Sequence, residues 1–270
     1  MKWLTKSYVG LVMAFLYAPI LVLIVFSFNQ SKSRGAWTGF TLGWYQKLFT
    51  NEVILNSLMN TLIIAVVSSV IATALGTLAA IGIVNMKRWT RLVVMNITYM
   101  PVVNPEIVTG VSLMLLFVWI RTAGVQIEFG FMTLILAHIT FNVPYVILNV
   151  MPKLRQMDRF VYEAALDLGC SPIQAFFKVV IPEILPGILS GFLMSFTYSL
   201  DDFIISYFVS GATSQTLPIT IFSMTRRKVS PEINALSTII FVVVLSVLLL
   251  VNLNDSRKEH ENRMKARARA

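Results

Sequence analysis

Long apolar runs follow one another along this chain, separated by short polar stretches, and within the runs apolar and polar residues do not alternate one by one. Six runs stand out, at roughly 8–28, 57–84, 92–120, 131–152, 186–209 and 234–253, each near or above the ~20 residues a helix needs to cross the hydrocarbon of a bilayer. Backbone groups in lipid must be paired within the protein, so such runs predict α-helices. A closed barrel needs residue-by-residue alternation, which is missing. The pattern therefore predicts an all-α integral membrane protein with six transmembrane helices. The first run follows Lys2 and Lys6, exceeds a signal-peptide core and lacks a small-residue cleavage site after it, so it is read as a retained span. The expected divisions are 1–56 (first helix and external loop), 57–253 (a five-helix core) and 254–270 (a basic tail).

Composition supports this reading. Of 270 residues, 56% are hydrophobic and 13% charged, and the mean hydropathy is +0.75. The net charge of +9 raises the question of nucleic acid, but the basic residues sit in the tail and beside apolar runs, where they orient a membrane protein. With both termini in the cytoplasm, the inner loops hold Lys2, Lys6, Lys87, Arg88, Arg91, Lys153, Arg155, Arg159, Lys178 and six tail residues. The outer loops hold only Lys32, Arg34, Lys47, Arg121, Arg226, Arg227 and Lys228, which favours that orientation. The outer cluster Arg226, Arg227 and Lys228 is read as a solvated loop, with docking of an acidic partner as the alternative. Ser230, Pro231 and Glu232 after it have the form of a helix start. The lone cysteine, Cys170, excludes an internal disulfide and a cysteine metal cluster.

Two spans carry residues out of place in a lipid-facing rod. In "YMPVVNPEIVTG", Pro101 and Pro105 predict a break, with the helix restarting at Asn104 as cap. Such a break is tolerated at membrane depth only inside protein or beside a water-filled cavity. In the fourth run, His138, Asn142 and Pro144 point to an interior-facing helix, and His138 is read as a hydrogen-bonded packing residue because no acid lies near it in sequence.

Acids within spans are the clearest chemical signal, since a charge at the centre of a membrane helix costs about 2.5–3.5 kcal/mol and usually marks a pathway. Glu106, Asp201 and Asp202 qualify. On one continuous helix, Ser195, Ser199, Asp202 and Ser206 share a face, with Thr197 and Asp201 on the next. No Lys or Arg lies in a span to neutralise them, so a cationic ligand fits. Tyr198, Phe203 and Tyr207 add rings that attract ammonium groups. A flexible aliphatic polycation suits this mixture; an ion pair to another subunit or a structural network stays open.

The largest inner loop contains "EAALDLGCSPIQAFFKVVIPEILPG", Glu163 to Gly187. A helix around "RFVYEAALDL" should stop at Gly169, and Ser171 with Pro172 should start a second that ends before Pro182. The apolar faces, with Ala164, Ala165, Phe176 and Phe177, suit either a partner's groove or the lipid surface. This stretch resembles the EAA loop of permease subunits of binding-protein-dependent ABC importers: Glu163, Ala164, Ala165 and Gly169 match, while Val179, Val180, Ile181 and Pro182 stand where that loop has Ile-x-Leu-Pro. Through "AHITFNVPYVI", "SFTYSLDDFIISYFVSG", "TLPITIFSM" and "SPEINALSTI" the resemblance extends over nearly the whole chain to the C-type permeases of spermidine/putrescine importers. Leu200, Asp201, Asp202 and Phe203 are similar to the polyamine branch, where oxyanion importers tend to carry Gly-Glu.

The resemblance implies the type I ABC importer permease fold in a bacterial cytoplasmic membrane. It implies a coupling loop at about 153–185 that enters a cleft of the ATPase through Glu163, Ala164, Ala165, Gly169, Phe176 and Pro182. The implied partners are a second permease, two ATPase copies and an external substrate-binding protein. ATP and Mg are expected on the ATPase, since this chain has no GxxxxGK[ST] motif, and neither a cofactor nor enzymatic activity is expected of it. The implied substrate pathway includes Asp201, Asp202, Glu106, Tyr198, Ser199 and Trp44, although Trp44 suits an interfacial belt equally. Other cationic or small organic solutes remain alternatives, as does an ion-coupled carrier, against which six spans without an evident inverted repeat argue.

Overall fold

A computed structural model describes residues 2–31, 36–227, 231–243, 245 and 246. Its helices are α1 (Lys2–Ser27), α2 (Gly43–Thr50), α3 (Glu52–Val84), α4 (Arg88–Val103), α5 (Glu106–Thr122), α6 (Phe131–Gln156), α7 (Arg159–Asp167), α8 (Pro172–Ala175), α9 (Ile181–Asp201), α10 (Ile204–Val209), α11 (Leu217–Arg227) and α12 (Pro231–Val243). Among the described residues the extended pairing is a single bridge, Asn29 with Phe40. The basic tail, Lys228 and Ser230 lie outside the described residues.

Four helical stretches are long and apolar enough to cross a bilayer: Thr5–Ser27, Glu52–Val84, Phe131–Gln156 and Pro172–Asp201. The pair α4 and α5, bent by 105° at its break, makes a fifth if counted as one span. The expected six is thus seen as four or five, because the last run is described only through the short apolar helix α12 and residues 245 and 246.

Two compact units emerge, 1–52 with 223–270, and 53–222. In the first, the chain after α1 is tied by Asn29, whose amide donates to Ala36 O at 2.8 Å and whose Oδ1 accepts from Thr38 N at 3.0 Å. Phe28 stacks on Phe40, and Ser27 Oγ meets the Tyr45 hydroxyl at 2.7 Å.

The second unit is organised around α6. Lipid tails are as apolar as leucine, so membrane helices associate through close packing and hydrogen bonds rather than through burial from water. Small residues supply the close packing. Gly187 and Gly191 of α9 and Gly76 of α3 all face α6, and a Cβ on Gly191 would sit 3.2 Å from Val146 Cα. One apolar cluster joins Val146, Ile147, Val150 and Leu154 to Ala80, Ile83, Val180 and Ile184. The other joins Leu134, Ala137 and Phe141 to Ile64, Leu113, Phe117, Ile205 and Val209. Hydrogen bonds supply the rest: Ser57 Oγ meets Thr220 Oγ1 at 2.6 Å, and Thr61 Oγ1 accepts from Leu217 N at 2.8 Å.

The structure alters three sequence expectations, two of them through proline chemistry. The break in the third span falls at Asn104 and Pro105, both extended, so Asn104 ends α4 instead of capping α5, and Pro101 sits inside α4. Proline disfavours helix in the residue before it, and here that acts on Asn104. The second loop helix does not end before Pro182. From Pro172 to Asp201 the chain is one helix of 30 residues, because its turn at Phe176–Val180 widens to a π-turn in which Ile181 N–H reaches Phe176 O. Such a widened turn adjusts the backbone hydrogen bonding just before Pro182, which has no N–H to offer. The fifth span is not continuous to residue 209: it stops at Asp201 and resumes at Ile204.

Candidate functional site

The interruption between α9 and α10 separates the two adjacent aspartates. Asp202 is extended (φ −61°, ψ 119°), which turns its side chain into the bundle, where it is 8% exposed. Asp201, the last residue of α9, is exposed. The break leaves first-turn N–H groups of α10 without acceptors in their own helix, and inside a membrane these need partners. The Asp202 carboxylate takes two of them, from Ile205 N at 3.2 Å and Ser206 N at 2.7 Å. His138 Nε2, fully buried on α6, lies 3.5 Å from Asp202 Oδ2 and 3.0 Å from Ser206 Oγ. Asp202 therefore has partners that the sequence did not disclose. As expected, no Lys or Arg pairs with either acid among the described residues, but Asp202 is not without a partner, because the fold brings a His138 ring nitrogen to within 3.5 Å of it from 64 residues away.

Ser199 is also buried. Its hydroxyl accepts from Asn142 Nδ2 at 2.7 Å and meets Ser68 Oγ at 3.2 Å, which joins α3, α6 and α9. With Ser195 and Ser206 it faces the interior of the bundle, so the predicted polar stripe is an internal seam rather than an exposed surface.

Glu106, at the start of α5, is exposed like Asp201 and lies within electrostatic range of both aspartates. It is held there by packing one turn along its helix: a Cβ on Gly110 would lie 2.9 Å from the Phe208 ring and 3.3 Å from Ile205 Cα, so α5 presses directly on α10. Half-buried Tyr198 packs against Tyr145 of α6, with ring centroids 4.5 Å apart and planes tilted by 42°, and Tyr145 is within electrostatic range of Glu106. Glu106 is thus within electrostatic range of both Asp201 and the Tyr145 ring that packs on Tyr198. Among the described residues no basic side chain forms an ion pair with either Glu106 or Asp201. Tyr145 was not singled out from the sequence, where its only signal was its place one turn after Asn142 on a helix already marked as polar.

Trp44 belongs to the other unit. Its ring is 6% exposed, its Nε1 donates to Asn29 O at 2.7 Å, and Lys47 Nζ lies 5.0 Å over its face.

The loop after α6 forms a compact knob. Asp158 caps α7 by accepting from Phe160 N, Gly169 ends it with φ 87°, and Ser171 and Gln174 cap α8 reciprocally at 3.3 and 3.1 Å. Ala165 is buried and Phe176 packs against the cluster around Ile184, so neither lies on the outward face expected for it. Its exposed surface carries Phe160, Leu168, Ile173 and Phe177, with Glu163 and Ala164 also exposed. Glu163, Tyr162 and Phe176 line a 440 Å³ cleft against Ile81, Val84 and Asn85 of α3 and its end.

Residues 72–257 match the model of a family described as the binding-protein-dependent transport system inner membrane component. The spermidine/putrescine transport system permease protein PotC of Haemophilus influenzae is 37% identical over 258 residues, 96% of this chain and 98% of its own. The putrescine transport system permease protein PotI of Escherichia coli K12 is 42% identical over 233 residues, 85% of this chain and 83% of its own. A chain from a bacterial ABC transporter involved in import of the acidic polysaccharide alginate superposes with a TM-score of 0.71 at 17% identity, over 95% of this chain and 96% of its own. That likeness concerns the fold alone.

Proposed function

The chain belongs to the binding-protein-dependent transport system inner membrane component family, a family of multi-pass transport permeases, and from that premise we propose that it is a permease subunit of an ATP-driven polyamine importer. It forms half of the translocation path, and the cargo is spermidine or putrescine. The observation that carries the cargo is the pair of exposed acids, Glu106 and Asp201, within electrostatic range of each other and, through Glu106, of the Tyr145 ring that packs on Tyr198, without a basic partner among the described residues. Carboxylates attract ammonium groups directly, and tyrosine faces attract them through the ring quadrupole while accepting the methylene stem between them. Polyamine names among relatives covering nearly the whole chain support the same cargo.

Transport in this reading uses energy from outside the chain. An external binding protein delivers the cation, a second permease supplies the other half of the path, and two ATPase copies that bind ATP and Mg move the pair between outward and inward openings. The knob at 159–181 docks on one ATPase, with both termini of the chain on that side. Glu163, Ala164, Gly169 and Pro182 lie on its exposed surface, with Gly169 shaping the turn between its helices, whereas Ala165 and Phe176 brace it from within. Asp201 and Glu106 meet the cation, and Asp202 and Ser199 hold the path's wall in place.

Radiolabelled spermidine uptake in cells carrying the full set of subunits tests this reading. Asp201→Asn removes one of the two exposed charges, and uptake is expected to fall by about tenfold at matched membrane abundance, the scale of one charge-assisted contact. Unchanged uptake would remove Asp201 from the path. No spermidine or putrescine uptake dependent on the chain would shift the cargo to another cationic solute.

A further inference from the structure

The interrupted fifth span is gripped by α6 at two points one helical turn apart. Asn142 donates to Ser199 on the α9 side of the break, at 2.7 Å, and His138 meets Ser206 on the α10 side at 3.0 Å, with Asp202 Oδ2 at 3.5 Å from the same nitrogen. The gripping residues are fully buried, as is Ser206, while Ser199 and Asp202 are nearly so. Between these points lies Asp201, exposed on the other side of the backbone. An interrupted helix has no ladder of its own across the gap, so its geometry at residues 201–203 is set by whatever holds the two ends. Here Asp202 closes the first turn of α10 from within, and α6 fixes the distance between the ends through two side chains four residues apart on one face.

We propose that His138 and Asn142 are positioning residues for the Asp201 carboxylate, acting as a two-point clasp on the break. This rests on the reading that Asp201 borders an aqueous path. Neither residue touches the cargo. Their part is to keep the break at one fixed bend, so that Asp201 points into the path beside Glu106 instead of swinging with the loose end of α9. A side chain that serves only to fill the core would be replaceable by any residue of similar volume; a clasp needs a donor or acceptor at the reach of His138 Nε2 and of Asn142 Nδ2.

The rate at which a thiol at position 201 reacts, per assembled complex, separates these roles. Cys170 is the chain's one cysteine, so a Cys170→Ser, Asp201→Cys background places a single thiol at the site. The full transporter in membranes is treated with a membrane-impermeant cationic methanethiosulfonate, and modification of this subunit is timed. His138→Ala is expected to change that rate by up to about tenfold, the equilibrium shift set by one buried hydrogen bond, whereas His138→Gln, which keeps a donor at similar reach, stays close to the parent. Loss of stability alone lowers the amount of complex and leaves the rate per complex unchanged. Equal rates in the parent and His138→Ala would overturn the clasp. Absence of reaction in every background would show that position 201 is not on an aqueous path and would overturn the underlying reading as well. If His138→Ala does not assemble, Asn142→Ala releases the other grip and reads the same quantity, with the same change expected and the same invariance overturning the proposal.

Discussion

One helix holds two glycines whose surroundings predict opposite effects of the same substitution. Gly76 of α3 lies against α6 so closely that an added Cβ would be 2.6 Å from Val146 Cβ, 2.8 Å from Val146 Cγ1 and 3.1 Å from Val143 O. Carbon atoms in good contact sit about 3.5–4.0 Å apart, so α3 or α6 must retreat by about 1 Å to admit a methyl group. Neither neighbour can swing aside, since Val146 Cβ is fixed to the backbone and Val143 O is backbone itself. Overpacking of this kind costs about 1–3 kcal/mol. Gly82, less than two turns further along the same helix, has no atom within 4 Å of a built Cβ. There Gly→Ala removes only the entropic handicap of glycine in a helix and stabilises by about 0.5–1 kcal/mol. The two single-methyl variants therefore differ by about 2 kcal/mol or more, which for a chain of this size corresponds to a gap of about 5 °C in melting temperature. Thermal unfolding of the purified transporter in nanodiscs reads that gap directly. Gly76→Ala melting at or above the parent would show that α3 and α6 do not approach this closely, and the packing around Val146 would have to be redrawn.

Two further substitutions probe the knob and the buried acid. Phe177→Glu places a charge on an exposed ring, and in the proposed function it weakens co-purification of the ATPase while the chain stays folded; Phe176→Glu, one residue away, buries a charge against the cluster around Ile184 and lowers the yield of folded chain itself. Equal ATPase retention by Phe177→Glu and the parent would move the docking face elsewhere. Asp202→Asn keeps an acceptor for the N–H groups of Ile205 and Ser206, and since Asn caps helices as well as Asp does, uptake is expected to persist. Asp202→Ala leaves both groups unpaired at about 1–3 kcal/mol each, and the amount of assembled complex falls. If Asn at 202 lowers uptake as far as Asn at 201 does, the charge of Asp202 matters in its own right and its role as a cap is insufficient.

Much of this architecture could be read along the chain, because membrane helices announce themselves by length and by the exclusion of charge. The stop at Gly169 and the start at Ser171 and Pro172 were legible for a local reason: a left-handed residue and a capping box are encoded within four or five neighbours. Pro182 misled for a related reason. A proline predicts the loss of one hydrogen bond, but whether the helix ends or widens depends on what surrounds the turn, and here Phe176 and Val180 are anchored in the cluster around Ile184. The same holds at Asn104, where the proline that follows, not the one before, decides where the helix stops.

The aspartate pair shows most clearly where local reading ends. Placed on an ideal helix, residues 201 and 202 are 100° apart and share a polar sector, so both acids look like wall residues of one path. A single extended residue reverses this, because it sends consecutive side chains to opposite sides and splits the pair into one buried carboxylate and one exposed one. Near "SLDDF" the local support for that extension is Asp202 itself, a residue that favours the N-cap position, and this is a weak signal inside an apolar run. The extension is stabilised by what the fold brings to the break: N–H donors from the restarted helix on one side and His138 with Asn142 from α6 on the other. The polar residues of the fourth run and the acids of the fifth are thus one device recorded in two places. In this chain, His138 and Asn142, at i and i+4 on one face of α6, thus lie opposite the two ends of the break in the fifth span.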